Sequence, residues 1–204
     1  EAIKKAIAAC HGAGGGTVLV PAGTWHTAGP IHFMSNVEIH LADDADIFFS
    51  AKPADYLPIV FVRWAGIEMH NYSPLIYARD CENIALTGKG RLIGQGEPWW
   101  QYFQRDQEVG FAVYKAWVET FVPVEQRDGT EVGHVFRPQF FQPVNCKNVL
   151  LEDVTFESGP FWTIDMAYCE NILVRRIKVC TVGPNNDGFC PDSSRNVIVE
   201  HCFF

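Results

Sequence analysis

The sequence predicts an all-β chain that winds into a parallel β-helix, a solenoid of stacked coils. Three observations favour this fold: a short motif that recurs about every two dozen residues, a succession of strand-like segments without alternating helices, and one amphipathic segment at the start. The 204 residues, of which 48% are hydrophobic and 20% charged, suit a single globular domain or part of a larger one.

The recurring motif is an asparagine followed by a short β-branched or aliphatic run. Its copies are Ser35–Leu41, Cys81–Leu86, Cys146–Leu151, Cys169–Val174 and Ser194–Val199. Equivalent positions of successive coils stack in a solenoid, so the asparagine amides can hydrogen-bond along the axis. Asparagine also tolerates the left-handed backbone conformation of a turn. The motif therefore predicts a stacked column of asparagines.

The start of the chain predicts a helix that leads into the first strand. Ile3, Ala6, Ile7 and Cys10 recur at helical spacing, and a glycine-rich segment from Gly12 ends the pattern. The first coil of a β-helix has an exposed edge, and an amphipathic helix laid across it would bury the apolar core. We therefore expect an N-terminal capping α-helix.

The seven cysteines are interpreted as structural residues. None forms a close Cys-x-x-Cys pair, so the sequence predicts no metal site and no cofactor. Cys81, Cys146 and Cys169 each precede a motif asparagine by two positions. Because free cysteine behaves as a small apolar residue, we expect these three to form an interior column.

The formal net charge of −8 argues against a nucleic-acid partner, which would favour a basic surface. No stretch reaches the roughly 20 apolar residues that span a bilayer, so no membrane partner is expected either. An acidic polymer as substrate would require a local group of cations against this overall charge.

Residues 1–204 are interpreted as one partial β-helix domain with two insertions, at about 51–74 and 96–137. Both insertions break the period. The first contains Trp64 and Tyr72, and aromatic residues cluster in the second, among them Trp99, Trp100 and Trp117. Insertions in solenoids project from one face and often line a binding groove. Any single aromatic residue is nevertheless expected to pack the insertion onto the barrel.

The stretch Gly183–Phe189 contains an Asn-x-Asp-Gly motif and resembles glycoside hydrolase family 28, the polygalacturonase family. Further stretches resemble the family in the same order along the chain: Gly14–Gly23, Arg63–Glu68, Tyr72–Ile76, Gly88–Gly96 and Arg137–Gln139. This resemblance implies a right-handed single-stranded parallel β-helix. It also implies a pectin-degrading hydrolase that inverts the anomeric centre of α-1,4-linked galacturonic acid.

The resemblance implies that Asp187 is a catalytic aspartate. An inverting glycosidase needs one carboxylic acid to protonate the leaving oxygen and one carboxylate to activate water. The family supplies its other two aspartates one coil later, so we expect the chain to end just short of them. On this expectation the 204-residue chain alone is inactive, and it lacks C-terminal coils.

Three further residues are candidates for substrate binding: Asn185, Arg63 and Trp162. Asn185 is expected to hold the turn or to orient Asp187 rather than to act in catalysis. The segment Arg176–Lys178 imitates the family's Arg-Ile-Lys clamp but precedes the Asn-x-Asp motif, so it is interpreted as solvated strand residues. Cys190 and Asp165 depart from the family pattern.

Two alternatives stay open at this point: a β-helix polysaccharide lyase, and a non-catalytic β-helix that binds polysaccharide. A lyase would need Ca²⁺ held by several carboxylates, and no such acidic cluster is evident in the sequence. The expected partner is an acidic plant polysaccharide, pectin or an oligogalacturonide. We expect a monomer that is secreted or periplasmic, with its signal peptide outside these 204 residues.

Overall fold

The strands stack into three parallel sheets, and each coil of the chain contributes strands to the sheets in turn. The computed structural model describes residues 1–103 and 106–204. The first sheet contains β1 (Gly16–Val20), β4 (Val37–Leu41), β9 (Glu82–Gly88), β12 (Lys147–Glu152), β15 (Glu170–Arg175) and β18 (Arg195–Glu200). The second contains β2 (Gly23–Thr27), β5 (Ala45–Phe49), β10 (Arg91–Ile93), β13 (Thr155–Glu157) and β16 (Lys178–Cys180). The third contains β3 (Ile31–His32), β8 (Ile76–Arg79), β11 (Phe141–Val144), β14 (Ile164–Asp165) and β17 (Phe189–Cys190). The predicted parallel β-helix is confirmed.

Alternate side chains of each strand point into the coils, because successive residues of a strand face opposite sides. In β4, for example, Val37, Ile39 and Leu41 are buried while Glu38 and His40 are partly exposed. The parallel register then stacks the inward residues of neighbouring coils above one another. One inward column of the first sheet runs through Val18, Ile39, Leu86, Leu151, Val174 and Val199. Such columns form the apolar core.

The motif asparagines form the predicted ladder along the first sheet. The side-chain amide of Asn83 donates to Asn36, and that of Asn148 donates to Asn83, both at 2.8 Å. Asn171 donates to Asn148 and Asn196 donates to Asn171, both at 3.0 Å. All five residues have positive φ, between 54° and 64°. The residue type thus satisfies both the turn conformation and the hydrogen bonding between coils.

The predicted cysteine column also lies in the interior. Cys81, Cys146 and Cys169 are 6%, 0% and 1% exposed and belong to the main apolar core. All seven cysteines are free thiols. The core therefore depends on packing and not on disulfide bonds.

Helix α1 (Ala2–Gly12) covers the open end of the first coil, as predicted. Ile7 is buried, and Ile3 and Cys10 pack against the main core. His11 forms a hydrogen bond of 2.8 Å with the backbone oxygen of Ser35, which fixes the helix against the second coil. Within residues 1–103 and 106–204, no helix has the length and apolarity that crossing a membrane requires.

Two long connections leave the β-helix at the same corner, between the second and the third sheet. Residues 50–75 carry a 3₁₀ helix (Pro53–Tyr56) and an antiparallel hairpin of β6 (Val60–Trp64) and β7 (Ile67–Asn71). Residues 94–140 carry α2 (Glu97–Trp100), a π-helical turn (Asp106–Gly110), α3 (Phe111–Glu119) and 3₁₀ helices at Val124–Gln126 and Gly129–Val132. In the next two coils the same corner is crossed by the short loops 158–163 and 181–188. We call these four connections the corner loops.

The hairpin and the second long connection share a small apolar core of their own. It joins Val62, Trp64 and Met69 of the hairpin to Trp117 and Phe136 of the connection. Their rings pack closely: the Trp64 and Phe136 centroids are 4.8 Å apart, and those of Trp117 and Phe136 are 5.7 Å apart. The two insertions therefore support each other as one wall beside the barrel.

Replacing a central rung of the asparagine ladder should destabilise the fold. Asn148→Ala removes two amide hydrogen bonds, each worth about 0.5–1.5 kcal/mol, and places alanine in a left-handed conformation that costs about 1–2 kcal/mol. We expect the free energy of unfolding, measured by urea denaturation, to fall by about 2–5 kcal/mol.

Asn148→Gly is the matched control, because glycine adopts the same φ without steric cost but removes the same hydrogen bonds. It should be less damaging than the alanine variant. Equal stabilities of wild type and Asn148→Ala would show that the ladder contributes nothing.

Candidate active site

The candidate catalytic residue Asp187 lies in the corner loop 181–188, which joins β16 to β17. The loop turns at Asn185, whose φ of 54° is left-handed. At Gly183 any side chain would clash with the ring of Trp100, which packs on the loop from α2. These two positions explain why the loop needs asparagine and glycine where they stand.

Neighbouring residues hold the loop on both sides of Asp187. The side-chain oxygen of Asn186 accepts from the Thr181 hydroxyl and from the backbone N–H of Gly183, the latter at 3.0 Å. The Asn186 amide donates to the carbonyl of Phe161 at 3.1 Å. The backbone oxygen of Asp187 itself accepts from the N–H of Thr163 at 2.8 Å.

The Asp187 carboxylate is exposed and points away from the apolar interior. None of the side chains that the structure describes forms a hydrogen bond or an ion pair with it. Its backbone is fixed while its functional group stays unengaged.

Two adjoining cavities form a groove over the corner loops. The first, of about 240 Å³, is lined by Trp64, Ala65, Phe103, Phe111, Arg137, Phe161, Trp162 and Asn185. The second, of about 410 Å³, is lined by Arg63, Ala65, Gly66, Trp162, Cys190, Pro191 and Asp192. Asp187 is not among the residues that line either cavity, but it lies in the chain between Asn185 of the first and Cys190 of the second.

Stacked aromatic rings form the wall of the first cavity. Trp64 and Phe161 are nearly parallel at 4.9 Å between centroids, and Phe161 and Trp162 at 5.1 Å. The predicted ligand-binding residue Trp162 lines both cavities and is partly exposed. A sugar ring presents apolar C–H groups that pack well on such a surface.

Arg63 lines the second cavity, but its guanidinium already has protein partners. It donates to the carboxylate of Asp192 and to the Tyr168 hydroxyl, and it lies 5.0 Å from the centroid of the Tyr168 ring. The Tyr168 hydroxyl donates to Glu68 at 2.9 Å. These contacts attach the hairpin tip to the fourth and fifth coils, so a ligand anion would have to compete with Asp192.

A buried polar group that the sequence did not predict lies beneath the hairpin. Asp165, 1% exposed, accepts hydrogen bonds from the amides of Gln142 at 2.6 Å and Gln139 at 3.3 Å. Both amides also donate to the backbone oxygen of Arg63, at 2.7 Å and 2.9 Å respectively. The three side chains thus connect the outer face of the third sheet to the hairpin.

Burial raises the pKa of Asp165 from its ordinary value of 3.8 to about 7. The negative charge of Asp192 adds to the rise, whereas the two glutamine amides and Arg63 oppose it. The other carboxyl oxygen of Asp165 has no partner among the described groups. In the next coil, burial and the charge of Asp165 raise the pKa of Cys190 to about 12, so its thiol stays protonated.

Arg137 is a second residue whose role the sequence did not reveal. It lies just before β11, is 1% exposed, and donates to Pro184 and Asn185 of the loop that carries Asp187. Its motif, Arg137–Gln139, resembled the family, but nothing in the sequence connected it to a loop almost fifty residues away.

The charges of Arg176–Lys178 lie away from the candidate site, since Arg176 pairs with Asp153 at 2.6 Å.

Comparison with known proteins agrees with this geometry. A hyperthermoactive exopolygalacturonase from Thermotoga maritima is 41% identical, with a TM-score of 0.93, over 98% of this chain and 47% of its own. A probable polygalacturonase from Vitis vinifera is 25% identical over 93% of this chain and 35% of its own length. The chain resembles the polygalacturonases of glycoside hydrolase family 28.

The polygalacturonase-like chain also shares its fold with the family 28 exopolygalacturonase of Yersinia enterocolitica, at 22% identity and a TM-score of 0.76. The similarity extends over all of this chain and over 39% of the Yersinia enterocolitica structure. No protein-family model matches the chain. The chain spans about a third to a half of the polygalacturonases it matches.

The raised pKa of Asp165 predicts how stability depends on pH. The folded protein holds this proton up to about pH 7, whereas the unfolded chain releases it near 3.8. The contribution of Asp165 to stability therefore falls as the pH rises between these values, by as much as ~4 kcal/mol. Asp165→Asn should flatten this fall when chemical denaturation is measured from pH 4 to pH 8.

Asp153→Asn provides a control of opposite sign. The hydrogen bond from Arg176 lowers the pKa of Asp153, so that residue stabilises the fold at neutral pH and loses its effect in acid. An Asp165→Asn variant with the same pH profile as wild type would refute the assignment of a buried proton.

Proposed function

We propose that this chain provides the aromatic groove and one catalytic carboxylate of an inverting glycoside hydrolase that cleaves α-1,4-galacturonosidic bonds in polygalacturonate. The observation that carries the proposal is the exposed, unengaged carboxylate of Asp187 on a loop fixed beside that groove. The similarity to the Thermotoga maritima exopolygalacturonase supports the same function.

The chemistry assigns Asp187 to the activation of water. Inverting glycosidases hold an acid and a base roughly 6.5–9.5 Å apart so that water fits between the base and the sugar. The Asp187 carboxylate is exposed, so a water molecule can reach it, which suits the base. Asp165 holds a proton near neutral pH but is sealed beneath the hairpin, so it cannot deliver that proton to a substrate.

The acid is proposed to come from a carboxylate in a coil stacked on β17. Neighbouring strands of a parallel sheet lie about 4.8 Å apart, so a side chain one coil on, offset around the turn, reaches the required separation. Asp192 is a poorer candidate, because its carboxylate already pairs with Arg63.

The groove also suits a substrate made of uronic acid rings. Trp162, the partly exposed ring of the stack, offers apolar surface for the sugar, while the buried Trp64 and Phe161 support it, and Arg63 lines the second cavity. A uronate carboxylate could displace Asp192 from this guanidinium, since both are anions of the same kind. Local attraction of this sort would offset the repulsion expected from the net charge of −8.

We further propose that cleavage proceeds from chain ends. The hairpin and the second long connection stand as one wall beside the loop of Asp187, which favours a groove that is restricted on one side. Because the polymer is too large to enter a cell, we propose that the protein is secreted or periplasmic. We also propose that it acts as a monomer.

Asp187→Asn should abolish hydrolysis while leaving the fold intact. We expect the release of reducing ends from polygalacturonate by the full-length protein to fall at least ~100-fold, since the variant cannot accept a proton from water. Asp44→Asn is the matched control, because Asp44 is exposed in a distant turn with φ 60°, which asparagine tolerates. Equal activity of Asp187→Asn and wild type would eliminate the assigned role.

The products distinguish the mode of cleavage. An enzyme that works from chain ends releases mono- or digalacturonate from the start of the reaction and lowers the viscosity of the polymer slowly. Early oligomers of mixed length, with a rapid loss of viscosity, would instead show internal cleavage.

A further inference from the structure

Arg137, in the second long connection, is hydrogen-bonded to the three other corner loops. Its backbone oxygen accepts from the indole N–H of Trp64 in the hairpin at 2.9 Å. One guanidinium nitrogen donates to the carbonyl of Pro160 in the fourth coil at 3.0 Å and to that of Pro184 in the fifth coil at 2.9 Å. The other donates to the side-chain oxygen of Asn185 at 3.0 Å.

Two aromatic rings enclose the same guanidinium. Its central carbon lies 5.1 Å from the centroid of Phe161 and 5.6 Å from that of Phe103. A planar cation is favoured over ring faces, and the rings keep water from its hydrogen bonds. With 1% of its surface exposed, Arg137 is held in one position by its surroundings.

Arg137 holds Pro184 and Asn185 of the loop that carries Asp187. Asn186 and Asp187 are fixed by Phe161 and Thr163 of the neighbouring loop. By contrast, the side chain of Asn185 accepts one hydrogen bond from the described residues, and that bond comes from Arg137. The backbone of Asn185 is left-handed, which asparagine tolerates, so the position of its side chain is set by the turn and by Arg137.

We propose that Arg137 is a positioning residue, which sets where the Asp187 carboxylate stands beside the groove by holding Pro184 and Asn185. The inference rests on the proposed function. Arginine is needed because its rigid fork reaches three acceptors at once, whereas a lysine ammonium can replace the charge but not this geometry. The role is indirect, since Arg137 acts through the loop and not on the sugar.

Arg137→Lys in the full-length protein tests the proposal. We expect kcat on polygalacturonate to fall about 10- to 100-fold, because a displacement on the order of 1 Å at the reacting group has effects of this size. KM should change little, since the stacked wall of the groove is kept. Arg91→Lys is the matched control, as Arg91 makes exposed ion pairs with Asp46 on the second sheet.

Asn185→Gly separates positioning from other roles. Glycine keeps the left-handed turn but removes the acceptor, so kcat should fall as in Arg137→Lys, and the double variant should lose no more than either alone. Additive losses, or a raised KM for Asn185→Gly with full activity of Arg137→Lys, would overturn the proposal. If Arg137→Lys does not fold, Asn185→Gly tests the proposal by itself. A lower kcat supports it, and a raised KM with unchanged kcat overturns it.

A structural measurement keeps this inference separate from the proposed function. In Arg137→Lys, the backbone amide resonances of Asn185, Asn186 and Asp187 should shift and broaden relative to wild type, whereas those of the asparagine ladder should not. A wild-type protein without activity would defeat the proposed function but leave this test intact. Unchanged resonances in the loop would defeat the role of Arg137 whatever the activity.

Discussion

The parallel register between coils is the constraint on which the rest of the structure depends. It places equivalent residues of successive coils above one another, so the same residue type can pack or hydrogen-bond between neighbouring coils. The ladder shows this directly: Asn83 and Asn148 are 65 residues apart in sequence, yet their amides meet at 2.8 Å. The second long connection lies between these two asparagines in the sequence, yet β9 and β12 pair in register, so the insertion leaves the first sheet unchanged.

The same register creates the candidate site, because it brings all corner loops to one edge of the barrel. The hairpin, the second long connection and two short loops each contribute a few side chains, and no single segment contains the groove. Arg137 and the pair Gln139 and Gln142 come from the entry to one strand, β11. From there they reach the loop of Asp187 on one side and the hairpin on the other.

Arg137 and Asp165 are both buried and ionisable, but their hydrogen-bonding surroundings differ. Arg137 has carbonyl and amide oxygens at hydrogen-bonding distance and aromatic rings over its plane, so its charge is well solvated by protein. Asp165 receives two amide hydrogen bonds on one oxygen only, and its pKa rises to about 7. Asp187, by contrast, is exposed and has no hydrogen-bond or ion-pair partner among the described side chains.

The sequence by itself determined the period, the asparagine ladder, the cysteine column and the capping helix, because each of these follows from a local pattern repeated along the axis. The resemblance to the family also made Asp187 a catalytic candidate, which stays a prediction, and Trp162 a binding candidate, which the structure places in the lining of both cavities. Only the tertiary structure decided that Arg63 is engaged by Asp192 and that Arg137 and Asp165 are buried. Their partners lie 23 to 129 residues away, and such contacts depend on how insertions of irregular length fold back onto the coils, which no repeat encodes.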